Sequence, residues 1–263
     1  MKQRSRFCNS LKFSLLAFGI AGLVSSNAYA SDSDLSGCRD WNGVYAGAHF
    51  GYGWGDADMS LTPLPDAATF ANLAPQTLSP YVKGVLGGVQ LGYNYHKKCT
   101  VIGVETDFSL SDLSGTERVE PIIQNNGTPF PGTGDYLRDH QDTEWVGTVR
   151  LRLGYTPSSK LLIYGTGGMA YGRVNYEAET EFRPTGTENY PASFSKTKVG
   201  WTAGCGVEYA LDTRWSMRFE YLYYNLGKQS IIADPNPVYP PFQVGYEWHT
   251  SAHTVNLGLN YKL

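Results

Sequence analysis

The segment Asn256-Leu-Gly-Leu-Asn-Tyr-Lys-Leu263 alternates without a break. Side chains along a strand point by turns to opposite faces. Leu257, Leu259, Tyr261 and Leu263 therefore share one side, and Asn256, Gly258, Asn260 and Lys262 the other. A strand with one greasy face, one polar face and no polar tail after it calls for a partner strand to close against. A closed transmembrane β-barrel supplies one and pairs every backbone polar group without water.

The same alternation recurs upstream. Eight strand-like segments run roughly over 41–55, 81–96, 100–113, 142–155, 161–176, 198–211, 215–228 and 247–263. In the fourth, Trp145, Val149, Leu151, Leu153 and Tyr155 oppose Glu144, Thr148, Arg150 and Arg152. In the sixth, Trp201, Ala203, Cys205, Val207 and Tyr209 oppose Thr202, Gly204, Gly206 and Glu208. The seventh sets Trp215, Met217, Phe219 and Tyr221 against Ser216, Arg218 and Glu220. In the third, Ile102, Val104, Thr106, Phe108 and Leu110 oppose Gly103, Glu105 and Asp107. The fifth does not assign cleanly, because Gly165, Gly167 and Gly168 blur its register. Several segments exceed the ~9–11 residues needed to cross a bilayer obliquely. Short connections at 96–99, 156–160 and 212–214 alternate with long ones at 56–80, 114–141, 177–197 and 229–246. Short turns on one rim and long loops on the other are the outer-membrane pattern. The predicted fold is all-β, an eight-stranded antiparallel up-and-down transmembrane β-barrel.

The front end reads as an export signal. Lys2, Arg4, Arg6 and Lys12 precede a short apolar run at 13–24, and Ala28-Tyr-Ala30 is a small-x-small cleavage site. We therefore read 1–30 as a signal peptide and 31–263 as one barrel domain, since no linker divides the rest. A lipoprotein reading of Leu35-Ser-Gly-Cys38 is set aside, because Asp32 and Asp34 separate it from the apolar run. With 19 Tyr, 6 Trp and 30 Gly, the composition suits strands and membrane interfaces. A formal charge of −3 gives no nucleic-acid surface.

Trp41-Asn-Gly-Val-Tyr-Ala-Gly47 with Gly51-Tyr-Gly-Trp-Gly55 resembles the first strand of the small proteobacterial outer-membrane β-barrel family. That family includes OmpA-type barrels, rhizobial-type surface porins and hemin-binding surface proteins. Val101-Ile-Gly-Val-Glu-Thr-Asp-Phe108, Val149-Arg-Leu-Arg-Leu-Gly-Tyr155 and Ala170-Tyr-Gly-Arg173 are similar to its third to fifth strands. Gly200-Trp-Thr-Ala-Gly204 and Phe219-Glu-Tyr-Leu-Tyr223 resemble the next two. The resemblance implies location in the cell outer membrane, among its lipid and lipopolysaccharide. It also implies an assembly signal at Gly258, Tyr261 and Leu263 for the barrel assembly machinery, with Leu263 standing where the family usually has Phe. The hemin-binding members make heme capture by a loop residue such as His140 an alternative.

Glu105, Asp107, Glu144, Arg150, Arg152, Glu208, Arg218 and Glu220 all fall on inferred lumen faces. Eight strands enclose just enough room for side chains, so these charges are expected to plug the lumen by mutual pairing. A narrow ion path is the alternative. None of His49, His96, His140, His249 and His253 has a metal-ligand spacing, so no metal site is expected and these rings are read as surface groups. Glu247, His249 and Ser251 share a face, as a hydrolase relay would, and some barrels that trim lipid A resemble this His-x-Ser arrangement. Their ends lie ~13 Å apart at strand rise, and the chain is read as no enzyme. Cys38 and Cys99 should both lie on the periplasmic rim, where oxidation is permitted, and are expected to form a disulfide. Cys205 should face lipid. The Pro-rich stretches Leu61-Thr-Pro-Leu-Pro65 and Asp234-Pro-Asn-Pro-Val-Tyr-Pro-Pro-Phe242 carry whatever specificity the long loops have. The expected role is structural integrity and surface interaction, including adhesion and immune exposure by a host ligand or host immunity. A monomer or small homo-oligomer is expected.

Overall fold

The computed structural model describes residues 40–64, 74–124, 126–129, 135–182, 188–234 and 243–263. The predicted signal peptide and Cys38 lie outside the described residues, as do Pro65 and residues 235–242 of the two Pro-rich stretches. Among the described residues there are nine strands: β1 Gly43–Pro63, β2 Gln76–Leu78, β3 Tyr81–Lys97, β4 Thr100–Val119, β5 Tyr136–Ser158, β6 Leu161–Phe182, β7 Glu188–Ala210, β8 Trp215–Ala233 and β9 Val244–Lys262. Every pairing is antiparallel, and neighbours in sequence are neighbours in the sheet from β3 to β9. β1 pairs with β3 along one edge and with β9 along the other, which closes the sheet on itself.

The wall has eight staves rather than nine. β3 stops at Asp56 on the β1 ladder, and β2 resumes on the same edge at Met59. Pro80 sits in the gap. It has no N–H to donate and so interrupts a ladder. β2 and β3 are one stave broken at Ser79 and Pro80.

The strands run from 17 to 23 residues apart from β2, well beyond what a crossing needs. The predicted long loops are therefore shorter than read from sequence: much of 56–63, 114–119, 136–141, 177–182, 188–197, 229–233 and 244–246 is strand. The reason is a reversal of polarity along each stave. Near the periplasmic end of β9, Leu257 and Leu259 face out and Asn256 and Asn260 face in. At its other end Val244, Tyr246 and Trp248 are buried inside, while Glu247 and His249 lie on the outside. β1 changes in the same way, from Phe50 and Tyr52 outside to Asp56 and Asp58 outside, with Met59 and Leu61 within. Alternation with a greasy outside therefore stops at the membrane surface, although the strand does not.

Aromatic contacts mark that surface. Phe108 packs on Trp145 at 5.5 Å, Trp201 on Tyr223 at 5.2 Å and Tyr223 on His253 at 5.0 Å. Below this belt the outer wall carries Val89, Ile102, Leu151, Leu153, Val207 and Phe219, all strongly exposed. That is the lipid-facing band expected of an outer-membrane barrel. Cys205 is exposed on this band.

Candidate functional site

The lumen of the membrane band holds a closed polar floor to which every stave contributes. Arg150 of β5 donates to Glu105 at 2.6 Å and to Asp107 at 2.9 Å, both on β4, and lies 3.1 Å from Glu220 of β8. Arg218 of β8 reaches across to Glu105 at 2.7 Å and stands 3.5 Å from Glu220. Arg152 pairs with Glu208 of β7, donates to the Tyr45 hydroxyl at 3.2 Å, and lies over the Tyr164 ring at 3.6 Å. Neutral donors add to these pairs. Tyr45 of β1 donates to Glu105 at 2.5 Å, Tyr164 of β6 to Glu220 at 2.9 Å, and Thr148 to Asp107. Ser216 and Asn260 donate to Glu208 at 2.5 and 2.9 Å. Gln90 of β3 then donates to Asn260 at 2.7 Å.

Three guanidiniums thus pair with four carboxylates, all with side chains at most 4% exposed. Burying such charges costs several kcal/mol per ion in general, and only close pairing with extra hydrogen bonds offsets it. The pairs here are close and carry such bonds, while the Nε atoms of Arg150, Arg152 and Arg218 have no hydrogen-bond partner among the described residues. A glycine makes part of this arrangement possible: a Cβ at Gly258 would stand 3.1 Å from Arg218 Cγ and Nε, where that side chain lies along β9.

Seven of the eight predicted lumen charges come together in this floor: Glu105, Asp107, Arg150, Arg152, Glu208, Arg218 and Glu220. Glu144 does not. It is exposed on the outer wall, 3.4 Å from Arg173, and accepts from Asn175 at 2.9 Å. The pairing of β5 slips between Thr143 and Trp145. One extra residue in a bulge reverses which parity faces inward, so even residues point in below the bulge and odd ones above it. Counting by twos from Arg150 therefore puts Glu144 on the wrong side.

Sequence reasoning also missed Tyr45, Tyr164, His49 and Gln90. His49, read as a surface ring, is buried between Gln90 at 2.6 Å and Ser109 at 2.8 Å. Its parity was the available signal, because it alternates with Val44, Ala48, Phe50 and Tyr52 on the opposite side. At the periplasmic rim, Tyr261 packs edge-on against Trp215 at 4.9 Å and accepts from Arg214 at 2.8 Å. The Leu263 N–H closes onto the Val44 carbonyl at 2.9 Å. Cys99 sits in the β3–β4 turn, half-buried. With Cys38 outside the described residues, that pairing stays an expectation.

The remaining candidates lie on the outer wall above the belt. Glu247 forms an ion pair with Lys228 at 2.8 Å, and His249 stands opposite Asp58 on one side and Lys228 on the other. His140 shares its Nδ1 with the Thr116 hydroxyl at 2.7 Å. It lines a shallow groove with Arg138, Glu177, Ala178, Pro191 and Ala192. Among the described residues, no cluster of three or more acidic, His or Cys side chains could hold a metal ion.

Comparison with known proteins gives these features a context. A profile of the outer membrane protein beta-barrel domain matches residues 16–262. The chain is 32% identical over 260 residues to the 31 kDa outer-membrane immunogenic protein of Brucella melitensis, covering 95% of this chain and 99% of that one. It is 26% identical to the 22 kDa outer membrane protein of Rhizobium leguminosarum bv. viciae, over 89% of this chain and 83% of the other. The 25 kDa outer-membrane immunogenic protein of Brucella abortus is likewise 26% identical, over 84% and 82%.

Proposed function

The chain belongs to the outer membrane protein beta-barrel domain family, and from that premise we propose that it is a sealed, non-catalytic scaffold whose extracellular wall meets other surfaces. It is an outer-membrane protein and sits among outer-membrane lipid and lipopolysaccharide. The observation that carries the proposal is the floor. Arg150 alone contacts three carboxylates on two staves, and the network spans the lumen from wall to wall. Structural integrity and surface interaction, with adhesion and immune exposure, fit a barrel whose outlay of residues is above the membrane rather than in a pore. The names of the Brucella relatives as immunogenic proteins support the immune side of this reading. The ion pair that holds Glu247 on Lys228 supports a non-catalytic outer wall. Delivery through the barrel assembly machinery, reading Gly258, Tyr261 and Leu263, belongs to the same proposal.

Planar-bilayer recording of refolded protein tests it. No steady conductance is expected, and stable channels from the unmodified protein would replace the scaffold with a narrow porin. Heme capture is the second reading, favoured by the groove beside His140. Its Nδ1 is held by Thr116, which leaves Nε2 for a ligand, with Arg138 beside an Ala and Pro lining. A Soret band on titration with hemin that vanishes in His140→Ala would establish it; an unchanged band would remove His140 from the account.

A further inference from the structure

The upper wall has a seam. β6 and β7 are paired from Leu161↔Tyr209 up to Phe182↔Glu188, and β8 and β9 up to Ala233↔Val244. Between β7 and β8, however, pairing ends at Trp201↔Asn225. Above that level, among the described residues, β7 over 192–198 and β8 over 228–232 each have a neighbour on one side only. The cause is local. β8 slips register between Asn225 and Lys228, Gly227 takes a φ of 72°, and the Asn225 side chain accepts the Gly227 N–H at 2.9 Å. A glycine with positive φ in such a bulge re-aims its strand, here away from β7. Nothing lies within 4 Å of where a Cβ on Gly227 would be.

Both edges stand above the aromatic belt, and their surroundings are specific. Lys198 bridges the base of the fork, donating to the Gly227 carbonyl at 2.7 Å. Phe194 and Ile231 flank the gap and are only partly buried against the upper core. Along β7, Phe194, Lys196 and Lys198 share the inward parity, and Ser193, Ser195 and Thr197 face out as small hydroxyls. Pro191 is exposed at the upper end and limits the usable edge there.

We propose that the β7 edge over 192–198 is a docking site for an extended polypeptide strand of a partner protein, which adds to the sheet beside the seam. This rests on the surface-interaction reading above and names the kind of partner. The main chain supplies unpaired N–H and C=O groups, as in other cases of strand addition. The side chains choose the sequence. An apolar residue opposite Phe194 extends the upper core, and an acidic residue two positions on, on the same face, meets the exposed Lys196, while Lys198 stays on the Gly227 carbonyl. The opposite face tolerates small polar residues beside Ser193, Ser195 and Thr197. Cross-strand pairs of this kind each contribute ~0.2–1 kcal/mol, so charge selects among partners and the ladder carries most of the binding.

The test uses full-length barrel refolded into lipid vesicles and a synthetic peptide with Val and Glu alternating with Thr. Binding is expected, with slowed amide exchange over 192–198. A peptide N-methylated along the pairing edge keeps every side chain and should lose binding. Lys196→Glu should weaken the acidic peptide several-fold and strengthen a peptide with Lys in place of Glu. Heat-modifiable migration checks that the variant is folded. Equal binding of the N-methylated peptide, or exchange at 192–198 that the peptide leaves unchanged, overturns the proposal. No binding to a barrel that remains sealed in bilayer recordings also overturns it, and leaves the scaffold reading standing.

Discussion

Below Gly55 and Gly227 the staves have lipid outside and a charged floor inside; above them the same staves have water outside and an apolar core inside. The lower lumen is held by Arg150, Arg152 and Arg218 on four carboxylates. The upper one is filled by Met59, Leu61, Val174, Tyr176, Tyr246 and Trp248, all essentially inaccessible. The difference teaches that a strand's binary pattern has meaning only relative to the solvent it faces. One cylinder needs opposite fillings because its two halves are dissolved in opposite media.

The sharpest way to break this comparison is to remove a charge from each half. Arg150→Met leaves Glu105, Asp107 and Glu220 short of a partner in the buried floor. Breaking a buried ion network costs ~3–5 kcal/mol, and we expect that loss in the urea midpoint of heat-modifiable migration. Arg118→Met removes a pair of comparable length, 3.0 Å to Glu120, on the upper outer wall where both side chains are about half exposed. Exposed pairs contribute ~0–1 kcal/mol, so that variant should unfold close to the unmodified midpoint. Equal losses would mean that the floor is no more than a surface ion pair turned inward.

The same asymmetry explains what could be read from the sequence. Lipid demands an unbroken greasy face, so Leu257, Leu259, Leu151 and Phe219 announced eight staves and their lumen-facing partners. Water demands nothing so regular. Glu177, Glu179 and Glu181 on the outside of β6, with Tyr176 and Ala178 within, looked like a polar loop because the phase of polarity had reversed. Glu144 was misplaced because a one-residue bulge cannot be seen by counting in twos. Tyr45 and Tyr164 were missed because an aromatic residue reads as lipid-facing until its hydroxyl is placed on a carboxylate. The seam was out of reach as well, since the absence of a ladder between β7 and β8 follows from where β8 bends and not from the residues along either edge.

A second comparison sharpens the boundary. Leu151 is 71% exposed, on the lipid-facing band. An arginine at the midplane of such a face costs ~2–4 kcal/mol, so Leu151→Arg should lower vesicle-refolded stability by that amount. Glu179→Arg makes an equally drastic change on the outer face of the same sheet, but above the belt. Surface substitutions of that kind stay within ~0.5 kcal/mol. A full-sized cost at Glu179 would push the membrane surface up over the extracellular wall and end the division of the molecule into two media.

The smallest effect concerns a carboxylate buried in the apolar half. Asp139 is fully buried, with Oδ1 accepting the Trp248 indole N–H at 2.9 Å. Burial pushes its carboxyl up to about 6, the Trp248 N–H partly offsets this, and Glu117 across the ladder adds to the rise. The folded state therefore binds more protons than the unfolded chain between about pH 4 and pH 6. Stability of the upper core should fall as pH rises through that window and then level off, by at most ~3 kcal/mol for a shift of this size. Amide exchange of the upper strands, followed from pH 4 to pH 8 and corrected for its intrinsic rate, reads the effect. Asp139→Asn keeps an acceptor for Trp248 and should flatten the profile, while the floor below stays unchanged. Upper strands that become more stable as pH rises would mean that Asp139 is paired like the carboxylates of the floor, and the contrast between the two halves would fail at this residue.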